Sequence, residues 1–304
     1  MRIALGLTNS HFLNQGYRAQ DLPRQEKATW KRPQHKRKGD MDKLKQVEKQ
    51  IVEKMGREDM ADNFKTVATS IDRGIAVVVY GDPGTGKTTL ATTLPEGETL
   101  IINTEAGLGP LLGTKHVVFN LLGAIKNFEI EEVVDDLYKY LRTQEHPFKY
   151  IVLDNVSELE QQLILNITMR RGKEAPELRE YGDVSFKMKE WMRLFRDLTL
   201  QGITVVFNAW EFPLEIKNID GSVITKTFPL IGKRIAPQVC GIVDVVGHLE
   251  VHEKSGKRWL RLGPSDQYIT KCQFKGLDSG EPADLPLILG KLYGFNYKRE
   301  EKNG

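Results

Sequence analysis

The segment Gly81-Asp82-Pro83-Gly84-Thr85-Gly86-Lys87-Thr88 matches the pattern G-x-x-x-x-G-K-[ST]. Those residue types in that order suit the holding of a polyphosphate. Glycines let the backbone curl so that several N–H groups point inward at phosphate oxygens. Lys87 would reach the β- and γ-phosphates as a point charge, and the Thr88 hydroxyl would bind Mg²⁺. A helix opening near Gly86 would add its positive end. Thr89, the next residue, completes the candidate set for binding ATP with Mg²⁺.

Such a loop needs a second anchor for its metal. Tyr150-Ile151-Val152-Leu153-Asp154, about 70 residues downstream, is an apolar run ending in an acid. A parallel strand buried on both faces delivers its last residue to the ligand edge of a sheet. Asp154 would hold the metal there through a water. Hydrolysis also requires a group that orients the attacking water. Asn155, directly after Asp154, is not an acid. Glu105 lies just past a second apolar run, Leu100-Ile101-Ile102-Asn103, at the same expected edge. It fits that catalytic role, and it also fits an acid at the start of a helix.

These side chains meet only if the surrounding elements bring strand ends together. Ile75–Tyr80, Thr99–Asn103, Tyr150–Asp154 and Ile203–Asn208 are β-branched, nearly unbroken apolar runs, as in strands buried on both faces. Between them, Lys87–Leu94, Glu129–Arg142, Ser157–Met169 and Val184–Leu200 read as helices. The last of these carries Phe186, Met188, Trp191, Leu194, Phe195 and Leu198, a stripe expected to face the core. After Asn208 the chain reads as shorter strands, Val223–Phe228, Val243–Val251, Arg258–Leu262 and Ile269–Phe274, with Gly256 suited to a hairpin turn. The expected class is α/β: a mostly parallel sheet flanked by helices, with antiparallel strands toward the C-terminus.

The 304 residues suffice for one large domain and an appendage. The basic excess is concentrated at the start: residues 1–59 hold 14 Lys or Arg against 8 Asp or Glu, while the rest is slightly acidic. Lys31–Lys38 reads as a solvated basic tail that also suits nucleic acid phosphates. Leu44, Val47, Ile51 and Met55 predict a short amphipathic helix within Met41–Met60. The expected division is a basic N-terminal segment over 1–65 and an ATPase core over 66–295. Cys240 and Cys272 form no C-x-x-C pair and read as ordinary thiols of a reducing cytosol. No apolar run is long enough to cross a bilayer, and nothing near Met1 reads as a secretory signal.

The order of these motifs resembles the RecA-like core of the P-loop NTPases. In that family a catalytic Glu follows the second strand, and Ile101-Ile102-Asn103-Thr104-Glu105-Ala106 is similar to it. The metal-associated Asp ends the third strand, as Asp154 does. A polar γ-phosphate sensor ends the fourth, where this chain has Asn208 followed by Ala209 instead of the family's Gln. The alternatives are an AAA+ type remodeller or helicase loader, which would carry a Glu where Asn155 stands, and a nucleotide-gated DNA-binding module with little turnover, which Ala209 in the sensor pair keeps open. The resemblance covers about residues 73–275, and it is greatest to compact phage-encoded RecA-like proteins, also described as AAA-family nucleotide-binding proteins, some of which assist single-strand annealing. It implies ATP held at subunit interfaces of a homo-oligomer in a bacterial host cytoplasm. It also implies single-stranded DNA as ligand and a single-strand binding protein as a further partner. Two DNA-facing loops are expected, at Met169–Asp183 and at Glu215–Arg234 with Lys217, Lys226, Lys233 and Arg234. Arg258, Arg261 and Lys271 are the candidates to reach a neighbouring subunit's nucleotide.

Overall fold

The structure, a computed structural model, describes residues 73–300 except 106, 108, 218, 219 and 233, and only the backbone of 295–300. The expected helix at Met41–Met60, the basic stretch Lys31–Lys38 and the boundary near residue 65 fall outside the described residues. Six strands run parallel: β1 (Ala76–Tyr80), β2 (Thr99–Asn103), β3 (Val117–Asn120), β4 (Tyr150–Asp154), β5 (Thr204–Ala209) and β8 (Val245–Val251). They lie in the order β8-β1-β5-β4-β2-β3. The antiparallel strands β9 (Arg258–Arg261), β10 (Lys271–Cys272) and β11 (Gly280–Pro282) extend the sheet beyond β8. A separate antiparallel hairpin, β6 (Glu211–Lys217) with β7 (Val223–Pro229), follows β5.

The central strands are apolar on both faces because helices cover both. Val77, Val79, Ile101, Val152 and Val206 face one layer, formed by α1 (Lys87–Ala91) and α7 (Leu285–Glu300). Val78, Tyr80, Ile102, Leu153 and Phe207 face the other. That layer contains α2 (Leu122–Asn127), α3 (Ile130–Thr143), α4 (Val156–Arg170), α5 (Leu178–Asp197) and α6 (Ala236–Ile242). In α3 the buried residues Ile130, Val134, Leu137 and Leu141 recur at helical spacing, and Glu131 and Glu132 occupy the first turn, where the helix dipole favours acids. Among the described residues no helix is long and apolar enough to cross a membrane. Both cysteines are free thiols.

Register decides what stands at the sheet's C-terminal edge. Asn103 pairs with Asp154, Asp154 with Asn208, and Tyr80 with both Ala209 and His248. Asn103, Asp154, Asn208 and His248 are buried, so a polar row ends an otherwise apolar sheet.

The four parallel strands read from the sequence fall within one residue of their observed bounds. Other segments differ. The expected loop Met169–Asp183 is instead a short turn between α4 and α5, and Tyr181, Gly182 and Asp183 lie inside α5. Glu177 and Glu180 form a capping box that starts α5 seven residues after α4 ends. Arg171 pairs with Glu180 and Asp183, and Lys173 with Glu177 and Glu180. The hydrogen bonds from Lys173 and Arg171 draw the Glu180 carboxyl down to about 2. Phe186 was expected in the core stripe of α5 but is 67% exposed; Val184, Met188, Trp191, Met192 and Phe195 form the buried face. Much of the second expected loop is the β6–β7 hairpin. Helices α6 and α7 were missed: Pro237 and Gly241 weaken the helical signal of one, and Pro286, Gly290 and Gly294 that of the other.

One buried acid staples the opposite edge of the sheet. Asp244 accepts hydrogen bonds from Arg73 Nη1 (3.0 Å) and Nη2 (2.6 Å) and from the Ala76 amide (2.9 Å), joining the start of β1 to the start of β8. Asp244→Ala leaves these donors without their acceptor and should lower the unfolding free energy by about 2–4 kcal/mol in denaturant titration. Unchanged stability would mean that the strand ladder alone holds this edge.

Candidate nucleotide site

The turn between β1 and α1 is shaped by its glycines. Gly84 and Gly86 have φ of 84° and 99°, a region that side-chain-bearing residues rarely adopt. Thr85 closes the turn: its amide and hydroxyl both donate to the Asp82 carbonyl oxygen, at 3.3 and 2.9 Å. Lys87 is buried, and its Nζ donates to the carbonyl oxygens of Gly81 (2.8 Å) and Asp82 (2.9 Å). Burial lowers its pKa, while the carboxylates of Asp154 and Glu105 favour its charged form.

A cleft of about 260 Å³ lies over this turn. Pro83, Gly84, Gly86, Lys87, Thr88 and Thr89 line it together with Glu105, Pro110, Asp154, Asn155, Trp210 and Arg258. Glu105 just after β2, Asp154 at the end of β4 and the P-loop, separated by tens of positions in the chain, therefore meet at one sheet edge. Asn208 stands behind the cleft instead of lining it. It is 1% exposed, and its Nδ2 donates to Asp154 Oδ1 at 3.0 Å. Its side chain thus orients the Asp154 carboxylate.

Glu105 is held by two asparagines that sequence reasoning did not assign to the site. Asn155 Nδ2 donates to its carboxylate, and Asn103 Nδ2 donates to its main-chain oxygen. Asn155 also caps α4, its Oδ1 accepting from the Glu158 amide at 2.7 Å. The Thr104 hydroxyl exchanges hydrogen bonds with the Asn155 main chain, at 2.9 and 3.0 Å. The residue after the strand-end Asp therefore helps position the acid of the adjacent strand. Burial raises the Glu105 pKa, and the charges of Asp154 and Glu158 raise it further. The Asn155 hydrogen bond and Lys87 act in the opposite direction.

The donor set fits a hydrated Mg²⁺ beside a polyphosphate. Thr88 and Asp154 line the same cleft, and among the described residues neither the Thr88 hydroxyl nor the second oxygen of Asp154 is engaged in a hydrogen bond. Mg²⁺ is commonly held by one or two carboxylates plus substrate phosphates, keeping several waters.

Of the three cations expected to reach a neighbouring subunit, Lys271 and Arg261 are engaged within this chain, and Arg258 is engaged through Nε alone among the described residues. Lys271 Nζ donates to the carbonyl oxygens of Cys240, Gly241 and Val243, capping the end of α6. Arg261 is bonded to Glu250 and lies over the Tyr268 ring. Arg258 rests on its own P-loop, with Nε donating to the Thr85 carbonyl oxygen at 2.8 Å. Trp210, also unassigned from the sequence, is fixed through its amide, which donates to Ser157 Oγ at 2.8 Å.

A family model described as "AAA domain" matches residues 73–274. No curated protein matches the chain. The matched span contains the whole cleft, so an asparagine at position 155 does not remove the chain from the AAA type. Lys87→Ala removes the one buried cation in the cleft and should weaken nucleotide binding at least about tenfold. Equilibrium titration with ATP and Mg²⁺ checks this, and equal affinity would move phosphate recognition away from the P-loop.

Proposed function

The chain belongs to this AAA-domain family, and on that premise we propose that it is a RecA-like, DNA-dependent ATP hydrolase of phage-type recombination or single-strand annealing. The observation that carries the hydrolytic part is the Glu105 carboxylate, which shares a cleft with Lys87, Thr88 and Asp154. In this reading the γ-phosphoryl group of ATP passes to water and ADP leaves, and a bound Mg²⁺ would offset charge on the phosphates. Lys87 exchanges its carbonyl partners for phosphate oxygens. Thr88 and Asp154 would hold the metal. Glu105 orients the attacking water and accepts its proton. Asn155 fixes one oxygen of that carboxylate and leaves the other free to face the water. Asn208 keeps Asp154 aligned.

The DNA part is supported by continuity of the chain. Strand β5 ends behind Asp154, Trp210 lines the cleft, and Glu211 opens the β6–β7 hairpin. A change at the phosphates therefore has a short covalent route to the hairpin. The hairpin exposes Val223, Ile224 and Lys217, a mixture of apolar surface and cation that suits unstacked bases and a phosphate backbone. The α4–α5 turn is less suited, because Arg171 and Lys173 are already paired with acids. A homo-oligomer with ATP at its interfaces and a single-strand binding protein as partner belong to the same proposal.

Two experiments address its two halves. Glu105→Gln should keep ATP affinity while lowering turnover by about 10²–10⁴-fold. Because the Glu105 pKa is raised, its carboxylate is lost at a higher pH than an ordinary glutamate's. Wild-type turnover should therefore decline on the acid side from above the ordinary range, and the Gln variant should lack that limb. Normal turnover in Glu105→Gln would assign the water to another group. The second measurement is ATPase rate with and without single-stranded DNA at two salt concentrations. Stimulation that weakens with salt is expected. No stimulation, together with no salt-dependent DNA binding, would reject the DNA role and leave an ATPase of another kind.

A further inference from the structure

Lys87 and Arg258 are the two cations lining the phosphate cleft. Arg258 arrives from β9, beside the hairpin turn at Gly256, and not from the P-loop or its neighbouring parallel strands. Its Nε donates to the Thr85 carbonyl oxygen at 2.8 Å, which fixes the guanidinium against the loop. Gly86 makes room for it: a Cβ at that position would lie 2.5 Å from Arg258 Nε and 3.0 Å from Cδ. Among the described residues the two Nη groups make no hydrogen bond or ion pair. Arg261, three residues away on the same strand, is by contrast bonded to Glu250. Arg258 lines the polyphosphate cleft, and an arginine braced through Nε, with its Nη groups unengaged among the described residues, has the fork that recognises phosphate oxygens.

Resting on the nucleotide reading above, we propose that Arg258 is a phosphate-contacting residue acting within its own chain, supplying the second positive charge for the polyphosphate bound at its own P-loop. Two cations then face the phosphates, while the two acids, Asp154 and Glu105, serve metal and water. The contact also makes β9 a direct reporter of whether phosphates are bound. A guanidinium anchored to the Thr85 carbonyl is already committed to this loop, so its natural target is the nucleotide on the same subunit.

The test compares Arg258→Lys and Arg258→Gln with wild type, using the full chain and two probes, ATP and inorganic triphosphate, each with Mg²⁺. Unfolding midpoints establish that the variants remain folded, and Lys87→Ala serves as the control for the site itself. Arg258→Gln should weaken both probes by about tenfold or more, and to a similar degree, because the contact is to phosphate. Arg258→Lys keeps the charge and should recover a substantial part of the loss. Equal impairment by Lys and Gln would reduce Arg258 to a brace for Thr85 and overturn the proposal. Undiminished affinity in Arg258→Gln would overturn it as well. Loss of ATP affinity with triphosphate affinity intact would place the contact on the nucleoside and overturn it too. Mixing Arg258→Gln chains with Lys87→Ala chains separates action within a subunit from action between subunits. Recovered turnover would assign the arginine to a neighbour's nucleotide and overturn the proposal; no recovery, with weakened binding in Arg258→Gln alone, supports it. If wild type bound neither probe, the nucleotide reading itself would fall, an outcome distinct from failure at Arg258 alone.

Discussion

The parallel register of β2, β4 and β5 is the constraint on which the cleft depends. These strands are apolar on both faces, so a slip of one residue would still bury apolar side chains, but it would exchange the side chains packed in each layer and misalign the polar strand ends. Close packing in both layers and the pairing of the polar strand ends together select the register, which sets Asn103 beside Asp154 and Asp154 beside Asn208. The polar row survives burial because its members satisfy one another: Asn208 donates to Asp154, and Asn103 donates to the main chain of Glu105. Core packing and the chemistry of the site are in this sense one constraint.

The cleft is a balance of two cations and two acids brought by four different elements. Lys87 is buried with only carbonyl oxygens as hydrogen-bond partners, so burial lowers its pKa. Glu105 is partly buried beside other acids, so its pKa rises. Each group departs from its ordinary value in the direction that discharges it, and each is held back by the other. A polyphosphate with its metal would relieve both, giving Lys87 and Arg258 an anion and giving the acids a cation. This reciprocal mismatch is the electrostatic argument for a Mg²⁺-nucleotide as the ligand of the cleft.

Membership in the AAA-domain family is compatible with an acid, Glu105, just past the end of β2. Asn155 is at once the cap of α4 and the hydrogen-bond donor to Glu105. The position that lacks an acid thus serves the acid next door. Beyond the cleft, the proposed link to DNA rests on a short covalent path, since the β6–β7 hairpin begins within three residues of Asn208.

Much of the site was legible in the sequence because local composition carried it. The P-loop pattern marked the glycine turn between β1 and α1, and apolar runs ending in Asp154 or followed shortly by Glu105 marked the edge of the parallel sheet where the cleft lies. The central strands were legible because strands buried on both faces need nearly unbroken apolar runs. Elements whose local signal was interrupted by proline or glycine, such as α6 and α7, took their structure from packing: Leu285, Ile288, Leu289 and Leu292 are buried against the sheet despite the neighbouring glycines. Tertiary structure alone decided which charges were already paired. Arg171, Lys173, Arg261 and Lys271 carry the same formal charge as Arg258, but their partners lie on other turns, strands or helix ends. A sequence gives the charge of a side chain; only the folded chain sets the distance to its counter-charge, and that distance leaves Arg258 at the cleft with its Nη groups uncommitted among the described residues.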